Sequence, residues 1–214
     1  MRNLYRYTRI YTNGAEPELI VGVLTELTRK NGGIMRTADA LKAGVSRTSL
    51  SKLERAGLLE RVARGQYILP DSFPDELYIW QRRMNLLVYS HETALFLHGM
   101  AERTPAKHSV TFPSNARLSA TFPGDIKVYF VKPESHELGA VFLPSMMGHE
   151  VRAYDVERTV CDVVRSRNRI DDQTFIAAIK NYAAMKNHDF NRLGKYAEVF
   201  RITKILRKYL EVLL

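Results

Sequence analysis

At 214 residues and 45% hydrophobic, the chain can bury the core of one large domain or two small ones. A formal net charge of +9 favours polyanionic partners but does not separate DNA from RNA or acidic proteins. A single cysteine, Cys161, excludes an internal disulfide, and no run of about 18 apolar residues or signal-peptide pattern occurs, so the cytoplasm is the expected compartment.

The opening MRNLYRYTRIYT puts Leu4, Tyr7, Ile10 and Tyr11 on one helical face and Arg2, Arg6 and Arg9 on another. This reads as a terminal helix packing its aromatics, or as a basic arm for a DNA backbone. Pro17 suits the first position of a helix running to about residue 30. Its stripe of Leu19, Ile20, Val23, Leu24 and Leu27 predicts a core face, ended by Gly32-Gly33, and Ile34-Met35 predicts a short strand.

Residues 34–69, IMRTADALKAGVSRTSLSKLERAGLLERVARGQYIL, carry the strongest signal: helix, tight turn, helix and basic hairpin, the layout of a winged helix-turn-helix. Thr37 is expected to N-cap a helix whose apolar members are Ala38, Ala40 and Leu41, with Gly44 in the left-handed position after it. Val45 should anchor the turn and Ser46 cap the second helix. There Leu50, Leu53 and Gly57 share one face, and Thr48, Ser51, Lys52 and Arg55 the opposite one. Arg47 sits in the first turn, where a cation opposes the macrodipole and is easier to explain as a ligand contact. Residues 59–62 and 66–69 are strand candidates joined by Ala63-Arg64-Gly65, a loop that fits a type I turn with a left-handed glycine at a bulge.

Arg61, Arg64 and Gln66 would cluster on this wing. Base reading falls to Arg47, Thr48, Ser51 and Lys52, with Arg55, Arg61 and Arg64 mainly on the backbone. A polar basic face also suits a solvated helix or a protein-interaction module, and those readings stand beside DNA binding.

Pro70-Asp71-Ser72-Phe73-Pro74-Asp75 has a linker's composition and predicts domains at residues 1–74 and 75–214. Beyond it, Ser90 is expected to cap a helix through His98, and strands are expected at residues 108–112, 125–131, 139–143 and 150–154. Asp155 opens a helix with Val156, Thr159, Val160 and Val163 on one face. Asp171-Asp172 opens another to about residue 186, with Phe175, Ile176, Ile179 and Ala183 inward. A last helix, about residues 200–214, puts Ile202, Ile205, Leu206, Tyr209 and Leu213 on one side and Arg201, Lys204 and Lys208 on the other. The expected class is α+β: an N-terminal winged helix-turn-helix, then a mixed α/β domain ending in a helical subdomain.

The winged helix followed by SHETALFLHGM (residues 90–100), HSVTFP (108–113) and YDVERTVCDVV (154–164) resembles the AbiEi family, the antitoxins of type IV abortive-infection toxin–antitoxin systems, which confer phage resistance. The resemblance spans nearly the whole chain, on motifs that are structural rather than catalytic. It implies an N-terminal domain that binds inverted repeats in its own promoter and represses the operon. It implies a C-terminal domain that counters a nucleotidyltransferase-like toxin without requiring a stable complex.

Other chemistry is weakly signalled. His91 and His98 lie seven residues apart, about 10 Å along a helix, too far to share one ion, so no metal site is expected. Cys161 sits between apolar residues and reads as a buried thiol. Asp125-Ile126-Lys127 has the acidic-x-Lys form found in some metal-dependent nucleases, which leaves a winged-helix-targeted nuclease as an alternative. No catalytic residue and no cofactor is expected. Lys180, Lys186, Arg192, Lys195, Arg201, Lys204 and Lys208 could form a positive surface that engages nucleic acid, or a solvated rim.

Overall fold

The computed structural model describes residues 17–70, 72–101, 103–118 and 126–211, which form two compact units dividing between Trp80 and Gln81. The mixture of helices and sheets is the expected α+β class. The terminal reading of residues 1–12, Asp125 and Leu213 lie outside the described residues. No helix among the described residues is long and apolar enough to cross a membrane.

The first unit opens with α1 (Pro17–Lys30), followed by β1 (Met35–Arg36), α2 (Thr37–Lys42) and α3 (Arg47–Arg55). The hairpin of β2 (Glu60–Ala63) and β3 (Gln66–Ile68) then completes an antiparallel sheet in the order β1-β3-β2. Its core unites Leu24, Met35, Ala40, Val45, Leu50, Leu53, Leu59 and Tyr67, with Ile20, Val23 and Leu27 of α1 packed against them. The proline-bracketed segment after the wing is docked against this unit. The Asp75 amide donates to the Gly32 carbonyl at 2.7 Å, and its carboxylate accepts from the Tyr78 amide at 3.1 Å. This explains why the unit runs on to Trp80, past Pro74, into α4 (Glu76–Arg83).

The second unit is built on a mixed sheet in the order β6-β5-β4-β8-β7, from β4 (Val88–Tyr89), β5 (His108–Pro113), β6 (Ile126–Val131), β7 (Ala140–Pro144) and β8 (Glu150–Tyr154). Helix α5 (His91–Leu97) leaves the central strand β4. After β8 come α6 (Val156–Arg165), α7 (Asp172–Ala184), α8 (Phe190–Val199) and α9 (Thr203–Leu210). Their shared core includes Leu95, Val160, Cys161, Val164, Ile179, Tyr182, Leu193 and Leu206.

Helix α6 is buried from Glu157 to Val164, and carries a charge into the interior. Arg158, fully buried, donates from Nε to Asp162 Oδ2 at 3.1 Å and from Nη1 to the Ser135 and Leu138 carbonyls at 2.8 and 2.5 Å. Its guanidinium also lies 4.0 Å from the Tyr154 ring centre and 4.3 Å from that of Phe200. Gly139 makes room for it: a Cβ there would stand 2.8 Å from Arg158 Cβ, and its φ of +77° favours glycine in any case.

Several local expectations are corrected. Thr37 is the first residue of α2 rather than its cap, because its N–H and hydroxyl both go to the Gly65 carbonyl. Ser90 precedes α5 without capping it through its side chain, which is engaged by Thr111 and His91. Ile176 is half exposed instead of inward, since α7 buries the stripe of Phe175, Ala178, Ile179 and Tyr182. The final helix begins at Thr203, and α4, β4 and α8 add to the expected elements.

Candidate nucleic-acid interface

The path from α2 to α3 follows local chemistry. Gly44 adopts φ +86°, the Val45 side chain is buried as the turn's anchor, and Ser46 Oγ accepts from the Ser49 amide at 3.0 Å. Leu50 and Leu53 then turn into the core, which leaves Arg47, Thr48, Ser51, Lys52 and Arg55 exposed. No carboxylate occupies the first turn of α3, so Arg47 stands beside the positive end of the helix with no acidic residue there to offset it.

The hairpin closes more tightly than expected. Ala63 pairs with Gln66, so Arg64-Gly65 alone form the tip; Gly65 is left-handed at φ +72°, and the irregularity falls between Arg61 and Ala63. Arg61 and Arg64 are exposed, whereas Gln66 is half-buried within β3. The tip is tied back to α2, because the Gly65 carbonyl accepts from Thr37 N–H at 2.9 Å and from Thr37 Oγ1 at 3.3 Å.

These elements enclose a cleft of about 530 Å³ lined by Thr37, Arg47, Leu50, Ser51, Arg61, Arg64, Gly65 and Tyr67. Four of the sequence-selected residues meet there: Arg47 and Ser51 from the helix, Arg61 and Arg64 from the wing. Thr48, Lys52, Arg55 and Gln66 do not line it. Among the described residues, no carboxylate forms an ion pair with Arg47, Arg61 or Arg64. Thr37, Leu50, Gly65 and Tyr67 are the lining residues that sequence reasoning did not select as contacts. Only the wing's return to the start of α2 puts Thr37 and Tyr67 there, and no local motif announces that.

The second unit's singled-out residues are built into its framework. His91 is fully buried at φ +47°, its Nδ1 2.8 Å from Ser90 Oγ and its Nε2 3.0 Å from Ser166 Oγ, with the ring stacked on Tyr129 at 3.5 Å. Burial first, and then the neighbouring Arg165, Lys127, Arg158 and Arg169 charges, hold its imidazole well below the usual histidine range. His98 Nε2 lies 2.8 Å from the Tyr154 carbonyl, and no metal-binding group of three or more His, Cys, Asp or Glu occurs among the described residues. Burial pushes the Cys161 thiol up to about 12, as an inert interior cysteine requires. Lys127 donates to Glu92 Oε1 at 2.7 Å and to the Arg169 carbonyl at 2.5 Å.

Of the basic residues near the C-terminus, Lys180, Lys186, Lys195, Arg201, Lys204 and Lys208 are exposed on or between α7, α8 and α9. Arg192 is engaged by carboxylates, 3.7 Å from Asp155, 3.9 Å from Glu157 and 3.6 Å from Asp189.

Residues 23–70 match a family model described as "Transcriptional regulator, AbiEi antitoxin", which covers the helix-turn-helix, the hairpin and most of α1. The fold resembles the crystal structure of the RV2827C protein from Mycobacterium tuberculosis over 91% of this chain and 81% of that one, with a TM-score of 0.57 and 14% identity. That likeness is one of fold alone. The comparison with curated proteins gives no match.

Proposed function

We propose, from the match of residues 23–70 to a family model of AbiEi antitoxin transcriptional regulators, that the chain is the antitoxin and autorepressor of a type IV toxin–antitoxin operon. The winged helix-turn-helix binds inverted repeats in the operon's own promoter, with α3 in the major groove and the wing along the adjacent backbone. The observation that supports this most directly is the cleft where Arg47, Ser51, Arg61 and Arg64 meet without an acidic partner among the described residues. A cationic concavity beside an exposed, capped helix suits a polyanion better than a protein surface. On a symmetric operator two copies would bind half-sites about one helical turn apart, or a multiple of it.

The second unit counters a nucleotidyltransferase-like toxin without requiring a stable complex, in the cytoplasm, with no cofactor and no catalytic step of its own. Lys180, Lys186, Lys195, Arg201, Lys204 and Lys208 are its proposed working surface, with Arg192 at the margin because carboxylates already engage it. Full-length protein should retard DNA from upstream of its own reading frame in preference to a scrambled duplex, and repress a reporter driven by it. Equal affinity for both duplexes would overturn the repressor reading. Replacing Lys180, Lys204 and Lys208 by Gln should abolish rescue of growth from the toxin while leaving promoter binding intact; unchanged rescue would overturn the surface assignment.

A further inference from the structure

Arg47 and Ser51 stand one turn apart on α3 and both line the cleft, whereas Thr48, Lys52 and Arg55, also exposed, do not. At 3.6 residues per turn, the two stripes lie roughly 100° apart around the helix axis. A helix seated in a major groove aims one such stripe at the base edges and turns the other toward the groove wall. The stripe that shares a cleft with the wing is the one turned to the wall.

The lining points to the same target. A guanine edge offers two acceptors, which one guanidinium satisfies. Here the Arg47, Arg61 and Arg64 side chains border a single cleft, none with an acidic partner among the described residues. Thr37 and Ser51 add hydroxyls, and Leu50 and Tyr67 complete the lining. Mutually repelling cations are stabilised together by an anion with several acceptor oxygens, repeated along a strand.

Resting on the DNA-binding reading above, we propose that this cleft is the seat of the DNA backbone's phosphodiesters, clamped by Arg47, Arg61 and Arg64, so that Arg47 positions the duplex and carries no sequence information. Base reading then belongs to Thr48 and Lys52, with Arg55 beside them. This reverses the sequence-based role of Arg47 and moves Ser51 to the backbone.

The test is fluorescence anisotropy of the full-length protein on the upstream duplex and on a scrambled duplex, titrated from about 50 to 200 mM salt. Arg47→Ala, Arg61→Ala and Arg64→Ala should each reduce the salt slope by about 1 and weaken both duplexes by the same factor, which leaves their affinity ratio unchanged. Arg47→Lys should recover most of the slope, because a phosphate accepts a point charge where a bidentate base contact does not. An Arg47→Ala variant that abolished the ratio but kept the slope would overturn the clamp while leaving DNA binding in place. A wild-type protein without preference between the duplexes would instead defeat the underlying DNA reading.

Discussion

Arg47, Arg61 and Arg64 border an open cleft with no carboxylate partner among the described residues, while Arg158 lies fully buried in α6, bonded to Asp162 and capped by two aromatic rings. The two settings assign opposite work to the same side chain. A guanidinium removed from water must be satisfied where it sits, so Arg158 joins α6 to the chain before β7 and organises the second unit. Guanidiniums left in water cost the fold little and remain able to bind an external anion. Net charge records neither arrangement; pairing does.

The largest expected effect breaks the buried side of this contrast. Asp162→Ala strands Arg158 in the interior and should cost about 3–5 kcal/mol of stability, read from urea unfolding. An Asp162→Ala protein as stable as the wild type would remove the contrast's physical basis. Next is the exposed side: Thr48→Ala with Lys52→Ala should cost about 1–3 kcal/mol of promoter preference for each base that is no longer read, with the unfolding midpoint unchanged. A drop in midpoint comparable to the weakening of DNA binding would make that stripe structural.

Smaller effects sharpen the picture. Ser46→Ala deletes the cap that starts α3 and should cost about 1 kcal/mol in denaturant unfolding. A neutral outcome would mean that packing alone sets the start of the helix. The last prediction concerns pH. His91 is held neutral in the folded state, so its folded pKa lies below the unfolded value of about 6.5. The unfolded chain then binds more protons as pH falls below that value, and stability should decline there while staying flat above it. His91→Asn, which tolerates the φ of +47°, should remove that part of the decline. A wild-type profile that stays level between about pH 6.5 and the carboxylate range would contradict it.

What could be read from the sequence was what neighbours in the chain decide. Gly44, Val45 and Ser46 define the turn between α2 and α3 within three residues, and Asp155 and Asp171 mark their helices by accepting amides three residues on. The central strand β4 has only Val88 and Tyr89, too short for any alternation, and is a strand because β5 and β8 flank it. Helix α8 holds Gly194 in its interior, which weakens its intrinsic signal; burial of Leu193, Tyr196 and Ala197 supplies what propensity lacks. At the interface, exposure of the α3 residues was legible from helical period. Which stripe shares a cleft with the wing was not, because a hydrogen bond between Thr37 and Gly65, 28 residues apart, decides it.

The same tie governs how a duplex would be met. By fastening the hairpin tip to the first residue of α2, it sets the gap between helix and wing before any ligand arrives. A preset caliper of this kind gives up little conformational freedom on closing around a strand, so association would need no induced fit in the wing. Loosening it, as Thr37→Ala would by removing one of the two bonds to the Gly65 carbonyl, should tax affinity through the entropy of the unbound hairpin, beyond the loss of the hydroxyl that Thr37 adds to the cleft.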